Sequence, residues 1–142
     1  MSRALLDVNV LLALFDVDHV DHERAHAWLS HDNAGWASCP LTENGFVRII
    51  SQPRYPNPIA PAEAIGLLRR ACEGPGHEFW SCNVSLLDEK IVNSSRVLGP
   101  RQVTDAYLLA LAVARDGRFV TFDRGLSPRS VYGATAEHLI VL

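Results

Sequence analysis

Residues 104–123 read TDAYLLALAVARDGRFVTFD and predict a helix followed directly by a strand. One helix face is marked by apolar residues at the i, i+3, i+4 and i+7 positions, here Ala106, Leu109, Ala110 and Val113. Thr104 and Asp105 predict the helix start, because such side chains cap free N–H groups, and Gly117 predicts its end. The β-rich run that follows stops at Asp123. Two acids, Asp105 and Asp123, therefore bracket one helix–strand unit.

Composition predicts one globular domain over residues 1–142, with 48% hydrophobic and 20% charged residues. The net charge of −3 gives no overall basic surface for non-specific nucleic-acid binding. Lys90 is the only lysine, and the arginines leave local phosphate contacts open. Three cysteines without paired spacing, no signal peptide and no apolar run of transmembrane length predict a cytoplasmic protein without a membrane partner.

Short apolar runs alternate with helical patterns along the remaining chain. The further strands are predicted at 4–6, 36–39, 79–82 and 139–142, and the further helices at 8–15, 22–30, 40–50, 61–71 and 86–92. This alternation is typical of an α/β fold, a three-layer α/β/α domain whose central sheet is mostly parallel and has four to five strands.

Four acids follow apolar strands or begin helices: Asp7, Glu43, Asp105 and Asp123. A single acid in such a position is more often a helix cap than a functional group. Four in the same strand-then-acid pattern favour a shared role. Right-handed crossovers bring Asp7 and Asp123 to one sheet edge, and the first turns of the helices that carry Glu43 and Asp105 face that edge too.

Four carboxylates in one cleft raise each other's pKa, and a divalent cation removes this conflict. Ligands that are all oxygen favour Mg²⁺ or Mn²⁺ over Zn²⁺. Such a cation lowers the pKa of a bound water and neutralises charge on a phosphoryl oxygen. The acids therefore predict metal-assisted phosphodiester hydrolysis.

Four motifs carry a family resemblance: LLDVN at 5–9, TENGF at 42–46, TDAYLLALA at 104–112 and TFDRG at 121–125. In order and spacing they resemble the acidic motifs of PIN-domain ribonucleases and, among these, the VapC toxins of bacterial toxin–antitoxin pairs. The resemblance implies a PIN-like fold and makes the four acids the catalytic, metal-binding residues. It gives supporting roles to Asn9, Thr104 and Thr121.

The same resemblance implies a Mg²⁺- or Mn²⁺-dependent endoribonuclease toxin of the bacterial cytoplasm. Its partners would be the RNA substrate, a second copy in a homodimer, and a VapB-type antitoxin bound in a groove beside the active site. Arg124 follows the last acid and either holds RNA phosphate or pairs with a neighbouring acid. The match is weakest over residues 51–85.

Three alternatives compete with this interpretation. Residues His22, Glu23 and His26 form a formal HExxH zinc motif, but the chain lacks the Gly and third His of its extended form. A HAD-like phosphatase would use Asp7 as nucleophile, yet the chain has one lysine and no Gly-rich phosphate loop. A non-catalytic α/β binding module would use the acids only to hold a structural ion.

Overall fold

A five-stranded parallel sheet forms the centre of the computed structural model, which describes residues 2–142. The strands are β1 Ala4–Leu6, β2 Trp36–Ser38, β3 His77–Phe79, β4 Arg118–Thr121 and β5 Leu139–Val141. Their order across the sheet is β3-β2-β1-β4-β5, and every pairing is parallel. The predicted sheet of four to five strands is confirmed, with all five present.

The first strand lies in the middle of this sheet. Leu5 pairs with Ala37 of β2 on one side and with Phe119 of β4 on the other. All three residues of β1 are buried, which explains why the run is apolar without alternation. The residue that follows β1, Asp7, therefore lies at the centre of the sheet edge formed by the carboxyl ends of the strands.

Five helices cover the sheet: α1 Val8–Phe15, α2 His22–His31, α3 Pro40–Ile50, α4 Pro61–Cys72 and α5 Val103–Ala114. Successive side chains of β1 enter opposite cores, as strand geometry requires. Leu5 packs with α5, whereas Ala4 and Leu6 pack with α1, α3 and α4. The three-layer α/β/α prediction is confirmed by these two cores. Within residues 2–142, no helix has the length and apolarity that a membrane crossing requires.

Two predicted elements between residues 77 and 92 are wrong. The third strand covers His77–Phe79 and begins two residues before the predicted 79–82. The prediction followed the apolar residues, but this edge strand contains polar ones, and the apolar Trp80 that comes after it is buried in the core. The predicted helix 86–92 is a series of turns. Ser85 Oγ accepts the N–H of Leu87, and Asp88 Oδ1 accepts the N–H of Lys90, so side chains compete with helical hydrogen bonds.

The ends of α5 also differ in detail from the prediction. The helix begins at Val103 with Gln102 as the cap residue, and no side chain caps it. Thr104 is exposed and is not the cap. At the other end the left-handed conformation falls on Asp116, whose φ is +51°, and not on Gly117.

Close packing is what requires glycine at position 117. A Cβ atom there would overlap the ring of Trp80 and lie 2.8 Å from the carbonyl oxygen of Arg3. Gly117→Ala is therefore expected to lower the free energy of unfolding by about 1–3 kcal/mol, the usual cost of overpacking. Urea unfolding measures this change. Gly66→Ala is the control, because its added methyl meets only ordinary contact in α4 and helix propensity favours it by up to about 1 kcal/mol. Equal stability of the two variants would contradict the packing argument.

Candidate active site

Three aspartates meet at the carboxyl edge of the sheet. Asp7 follows β1, Asp123 lies two residues after β4, and Asp105 lies in the first turn of α5. Strands β1 and β4 are parallel neighbours, which brings Asp7 and Asp123 to the same edge. Asp7 and Asp105 are buried, each with 8% of its surface exposed. Burial raises the pKa of Asp105 most, and the negative charges of Asp7 and Asp123 add to the rise, which reflects their proximity.

Asp7 has structural contacts as well as a position in this cluster. Its Oδ1 accepts the N–H of Val8 at 2.7 Å and so caps α1. Its Oδ2 accepts the hydroxyl of Thr121 at 2.6 Å. Burial raises the pKa of Asp7, the two hydrogen bonds oppose that rise, and the charge of Asp123 adds to it. Burial is the largest of these effects.

Thr121 links the groups around Asp7. While its hydroxyl donates to Asp7, its Oγ1 accepts the N–H of Asp123 at 3.0 Å and Nδ2 of Asn9 at 3.4 Å. Asn9 Oδ1 in turn accepts the N–H of Phe122 at 3.4 Å. Asn9 and Thr121 thus connect the end of β4 to the start of α1. The supporting roles that the sequence predicts for Asn9 and Thr121 stay a prediction.

Asp105 has the most perturbed carboxyl group of the cluster. Burial first, then the charge of Asp7, a hydrogen bond with Asp123 and the charge of Asp123 raise its pKa from 3.8 to about 7. Only protonated Asp105 has a hydrogen to give to Asp123. Without a cation, therefore, the cluster relieves its crowding by retaining a proton on Asp105 near neutral pH.

Glu43 is the one predicted acid that faces other partners. It lies in the first turn of α3, and its Oε2 accepts the hydroxyl of Ser38 at 2.6 Å. Its charge acts on Cys72 and His77, whereas the pKa shifts of Asp7 and Asp105 have no contribution from it. The structure therefore brings three of the four predicted acids together and holds the fourth, Glu43, in a separate polar cluster.

Sequence reasoning missed three members of that second cluster, namely Ser38, Cys72 and His77. Ser38 is fully buried at the end of β2, and its Oγ lies 2.8 Å from Nε2 of His77. Its position at a strand end was a usable signal. Cys72 and His77 have no comparable signal in the sequence. Cys72 lies at the end of α4, and His77 begins the edge strand, whose start was predicted two residues too late.

Arg124 has no acidic partner among residues 2–142. It is exposed immediately after Asp123, and the ion pairs of the described chain involve Arg3, Arg24 and Arg118 instead. Of the two interpretations of Arg124, pairing with a neighbouring acid is therefore not observed.

The histidines of the HExxH motif bind backbone carbonyl groups. Nδ1 of His22 lies 2.7 Å from the carbonyl oxygen of Ala13, and Nε2 of His26 lies 2.9 Å from that of Leu14. These are carbonyls of the last turn of α1, which have no partner within the helix. The two histidines thus bind the free carbonyl groups at the end of α1. Among the described residues, no third metal ligand lies close to both of them.

A PIN domain family model matches residues 4–129 of the chain. Ribonuclease VapC44 of Mycobacterium tuberculosis is 65% identical over 141 residues, which cover 99% of both chains. The chain belongs to the VapC family of PIN-domain proteins. Ribonuclease VapC38 of the same species is 45% identical and covers 87% of this chain and 86% of its own length, and Ribonuclease VapC39 is 41% identical with coverages of 92% and 95%.

Membership of the VapC family confirms the resemblance drawn from the four sequence motifs. It also favours the nuclease interpretation over the HAD-like phosphatase and the non-catalytic binding module, since the relatives are named ribonucleases. Which residues of this VapC chain carry out the chemistry stays a prediction, supported by the geometry of the three aspartates.

Replacing Thr121 tests how strongly the hydroxyl organises this VapC site. Thr121→Val keeps the side-chain shape but leaves Asp7 Oδ2 and the N–H of Asp123 without their partner. We expect the free energy of unfolding to fall by about 1–3 kcal/mol and the affinity for Mn²⁺ to fall by about 10- to 100-fold. Thermal unfolding and calorimetric titration with Mn²⁺ measure the two effects. The exposed Thr135→Val is the control, and an unchanged Mn²⁺ affinity in Thr121→Val would refute the organising role.

Proposed function

We propose that this protein is a toxin endoribonuclease that hydrolyses RNA phosphodiester bonds and is neutralised by a cognate antitoxin. The observation that carries the proposal is the convergence of Asp7, Asp105 and Asp123 in a chain 65% identical to a VapC ribonuclease. The aspartates lie at the edge of the sheet where α/β proteins bind their ligands.

The donor set of the cluster suits a hard divalent cation. Its groups are carboxylates, two of them are buried, and burial together with the charges of Asp7 and Asp123 raises the pKa of Asp105. We propose that Asp7, Asp105 and Asp123 hold Mg²⁺ or Mn²⁺, with Glu43 joining them when its side chain turns away from Ser38. When bound, the cation supplies an activated water and neutralises charge on the phosphoryl oxygens.

The chain's own residues position the reacting groups. Thr121 fixes Asp7 and the backbone of Asp123, and Asn9 ties the same loop to α1. Arg124 is exposed next to this loop and pairs with no acid within residues 2–142, so we propose that it holds a phosphate of the RNA.

The partners are proposed from the family and from one surface feature. A cavity of about 160 Å³ beside α1 is lined mostly by apolar side chains, namely Leu6, Leu11, Leu14, Phe15, His26, Leu29, Trp36 and Ala71. Such a cavity suits an apolar side chain of a helical or extended antitoxin segment. We propose that a VapB-type antitoxin uses it, that the toxin forms a homodimer, and that it acts in the bacterial cytoplasm.

Cleavage of total bacterial RNA by the purified protein tests the proposed activity. Discrete fragments are expected with Mg²⁺ or Mn²⁺ and none with a chelator. The Asp123→Asn variant should give none under either condition, although its side-chain oxygen still accepts the N–H of Gly125. Failure of well-folded, antitoxin-free protein to cut any RNA would reject the proposal.

The exposed Asp88→Asn is the matched control for the same charge change outside the cluster, and it should cleave as the unmodified protein does. Fragments that persist in Asp123→Asn would point to a contaminating nuclease and remove the support for this residue.

A further inference from the structure

Glu43, Cys72 and His77 come from three different elements and meet at one point. One ligand atom of each lies within 4.8 Å of the others, and within residues 2–142 they are the only such group of three His, Cys, Asp or Glu residues. Glu43 belongs to the first turn of α3, Cys72 to the last turn of α4, and His77 to the first position of β3. All three side chains are partly exposed.

We propose that Glu43, Cys72 and His77 form a binding site for Zn²⁺, and that zinc bound there restrains the acid that the nuclease needs. One thiolate, one imidazole and one carboxylate make a three-ligand set of the kind that zinc accepts with a fourth position left to water. The same set disfavours Mg²⁺ and Mn²⁺, because a soft sulfur ligand suits neither of these hard cations.

The fully buried hydroxyl of Ser38 already orients two of the three ligands. It donates to Glu43 at 2.6 Å and lies 2.8 Å from Nε2 of His77. The ring of Trp36 packs against His77 with 4.5 Å between centroids, which limits the rotation of the imidazole. Glu43 and His77 are therefore held by a hydroxyl of β2, as a preorganised site requires.

The distances allow a zinc ion after small side-chain movements. Zinc–ligand bonds of about 2.0–2.3 Å place tetrahedral ligand atoms roughly 3.3–3.8 Å apart, so the present separations of up to 4.8 Å need to close by about 1 Å. An open cleft of about 320 Å³ between α3 and α4, lined by Glu43 and Cys72 among others, gives the ion a route. The thiol proton passes to solvent when the thiolate binds.

The consequence for activity rests on the proposed nuclease function. A carboxylate bound to zinc beside His77 is not free to turn towards the cation at Asp7, Asp105 and Asp123. Zinc is therefore expected to inhibit cleavage even in excess Mg²⁺, because it acts at a site that Mg²⁺ does not fill. The zinc site itself does not depend on the nuclease activity.

The binding test uses Co²⁺ in place of zinc, since a thiolate bound to Co²⁺ gives a charge-transfer absorption in the ultraviolet. The full chain in excess Mg²⁺ should give this band with one equivalent of Co²⁺, and Zn²⁺ should abolish it. Cys72→Ser should lose the band and bind Zn²⁺ at least about tenfold more weakly in calorimetry, whereas Cys82→Ser should keep both. A folded wild-type protein without the band, or a band retained in Cys72→Ser, would overturn the site.

A second measurement on unmodified protein guards against misfolding of the variants. Alkylation of the three cysteines, followed by mass spectrometry, should slow at Cys72 when Zn²⁺ is added and remain unchanged at Cys82. Equal rates at Cys72 with and without Zn²⁺ would reject the site.

The inhibition test compares each protein with its own rate in Mg²⁺ alone. Zn²⁺ at the concentration that saturates the site should reduce cleavage by the wild type at least about tenfold and leave Cys72→Ser much less affected. Equal inhibition of both would refute the restraint on Glu43. If no RNA is cut in Mg²⁺ at all, the proposed function fails, while the Co²⁺ band and the alkylation rates still decide the zinc site.

Discussion

Asp105→Asn is expected to abolish RNA cleavage and at the same time to stabilise the metal-free protein at pH 8. The carboxyl group of Asp105 is buried beside Asp7 and Asp123, and its pKa is raised to about 7. At pH 8 the folded protein therefore holds an ionised group that its surroundings oppose. The neutral amide removes this cost, but it also removes a carboxylate that the cation requires.

The pH dependence of stability has a definite sign. The folded pKa of Asp105 lies above the usual 3.8, so the folded chain keeps a proton that the unfolded chain releases. The resulting stabilisation is complete below about pH 4 and is lost as the pH rises through 7. Burial also raises the pKa of Asp7, so Asp105→Asn should reduce this slope without removing it.

Urea unfolding of the metal-free proteins between pH 4 and pH 8, together with an RNA cleavage assay, measures both effects. Asp116→Asn is the control for the same charge change, because Asp116 is exposed and lies just beyond the opposite end of α5. It should cleave normally and retain the wild-type slope. Loss of folding in Asp105→Asn, or an unchanged slope, would instead make Asp105 a structural residue of the helix start.

The second large effect is expected at Asp7, where two substitutions separate chemistry from capping. Asp7→Asn and Asp7→Ala should both abolish cleavage, because each removes a carboxylate from the centre of the cluster. Asparagine can still accept the N–H of Val8, which Asp7 now binds at 2.7 Å, whereas alanine cannot. Asp7→Ala should therefore be less stable than Asp7→Asn by about 0.5–2 kcal/mol, the cost of a lost N-cap.

Thermal or urea unfolding of the two variants measures this difference in stability. The comparison isolates the cap, because both substitutions remove the same negative charge from the site. Asp21→Ala is the matched control, because Asp21 precedes α2 but makes no capping hydrogen bond and only an exposed ion pair with Arg24. Its stability should change little. Equal stability of Asp7→Asn and Asp7→Ala would show that the cap contributes nothing, and residual cleavage by either would remove Asp7 from the proposed chemistry.

Most of the fold could be predicted because apolar residues in the buried segments recur at the spacing of a helix or form the short runs of a strand. Residues 8–15 and 40–50 and the buried run around residue 119 were predicted close to their observed bounds. The errors fall where tertiary contacts override local pattern. β3 is a polar edge strand, and residues 86–92 have apolar spacing but side-chain hydrogen bonds that favour turns.

The part of the candidate site that depends only on the order of strands and helices could be predicted from the sequence. Parallel strands and their following residues place Asp7 and Asp123 together, and the first turn of α5 adds Asp105. The orientation of Glu43 could not be predicted, because it depends on a hydroxyl of β2 and on groups that α4 and β3 bring beside it. The sequence pattern placed Glu43 at the correct edge but not with its present partners.

The position of β1 in the middle of the sheet determines when, during synthesis of the chain, the proposed active site can be complete. Asp7 is made early in synthesis, yet Thr121 and Asp123, which complete its surroundings, follow more than a hundred residues later. Contacts of such long range form late in folding. A nascent or truncated chain that lacks β4 therefore has no complete cluster of aspartates, and the proposed site cannot assemble until this strand and the residues after it have been made.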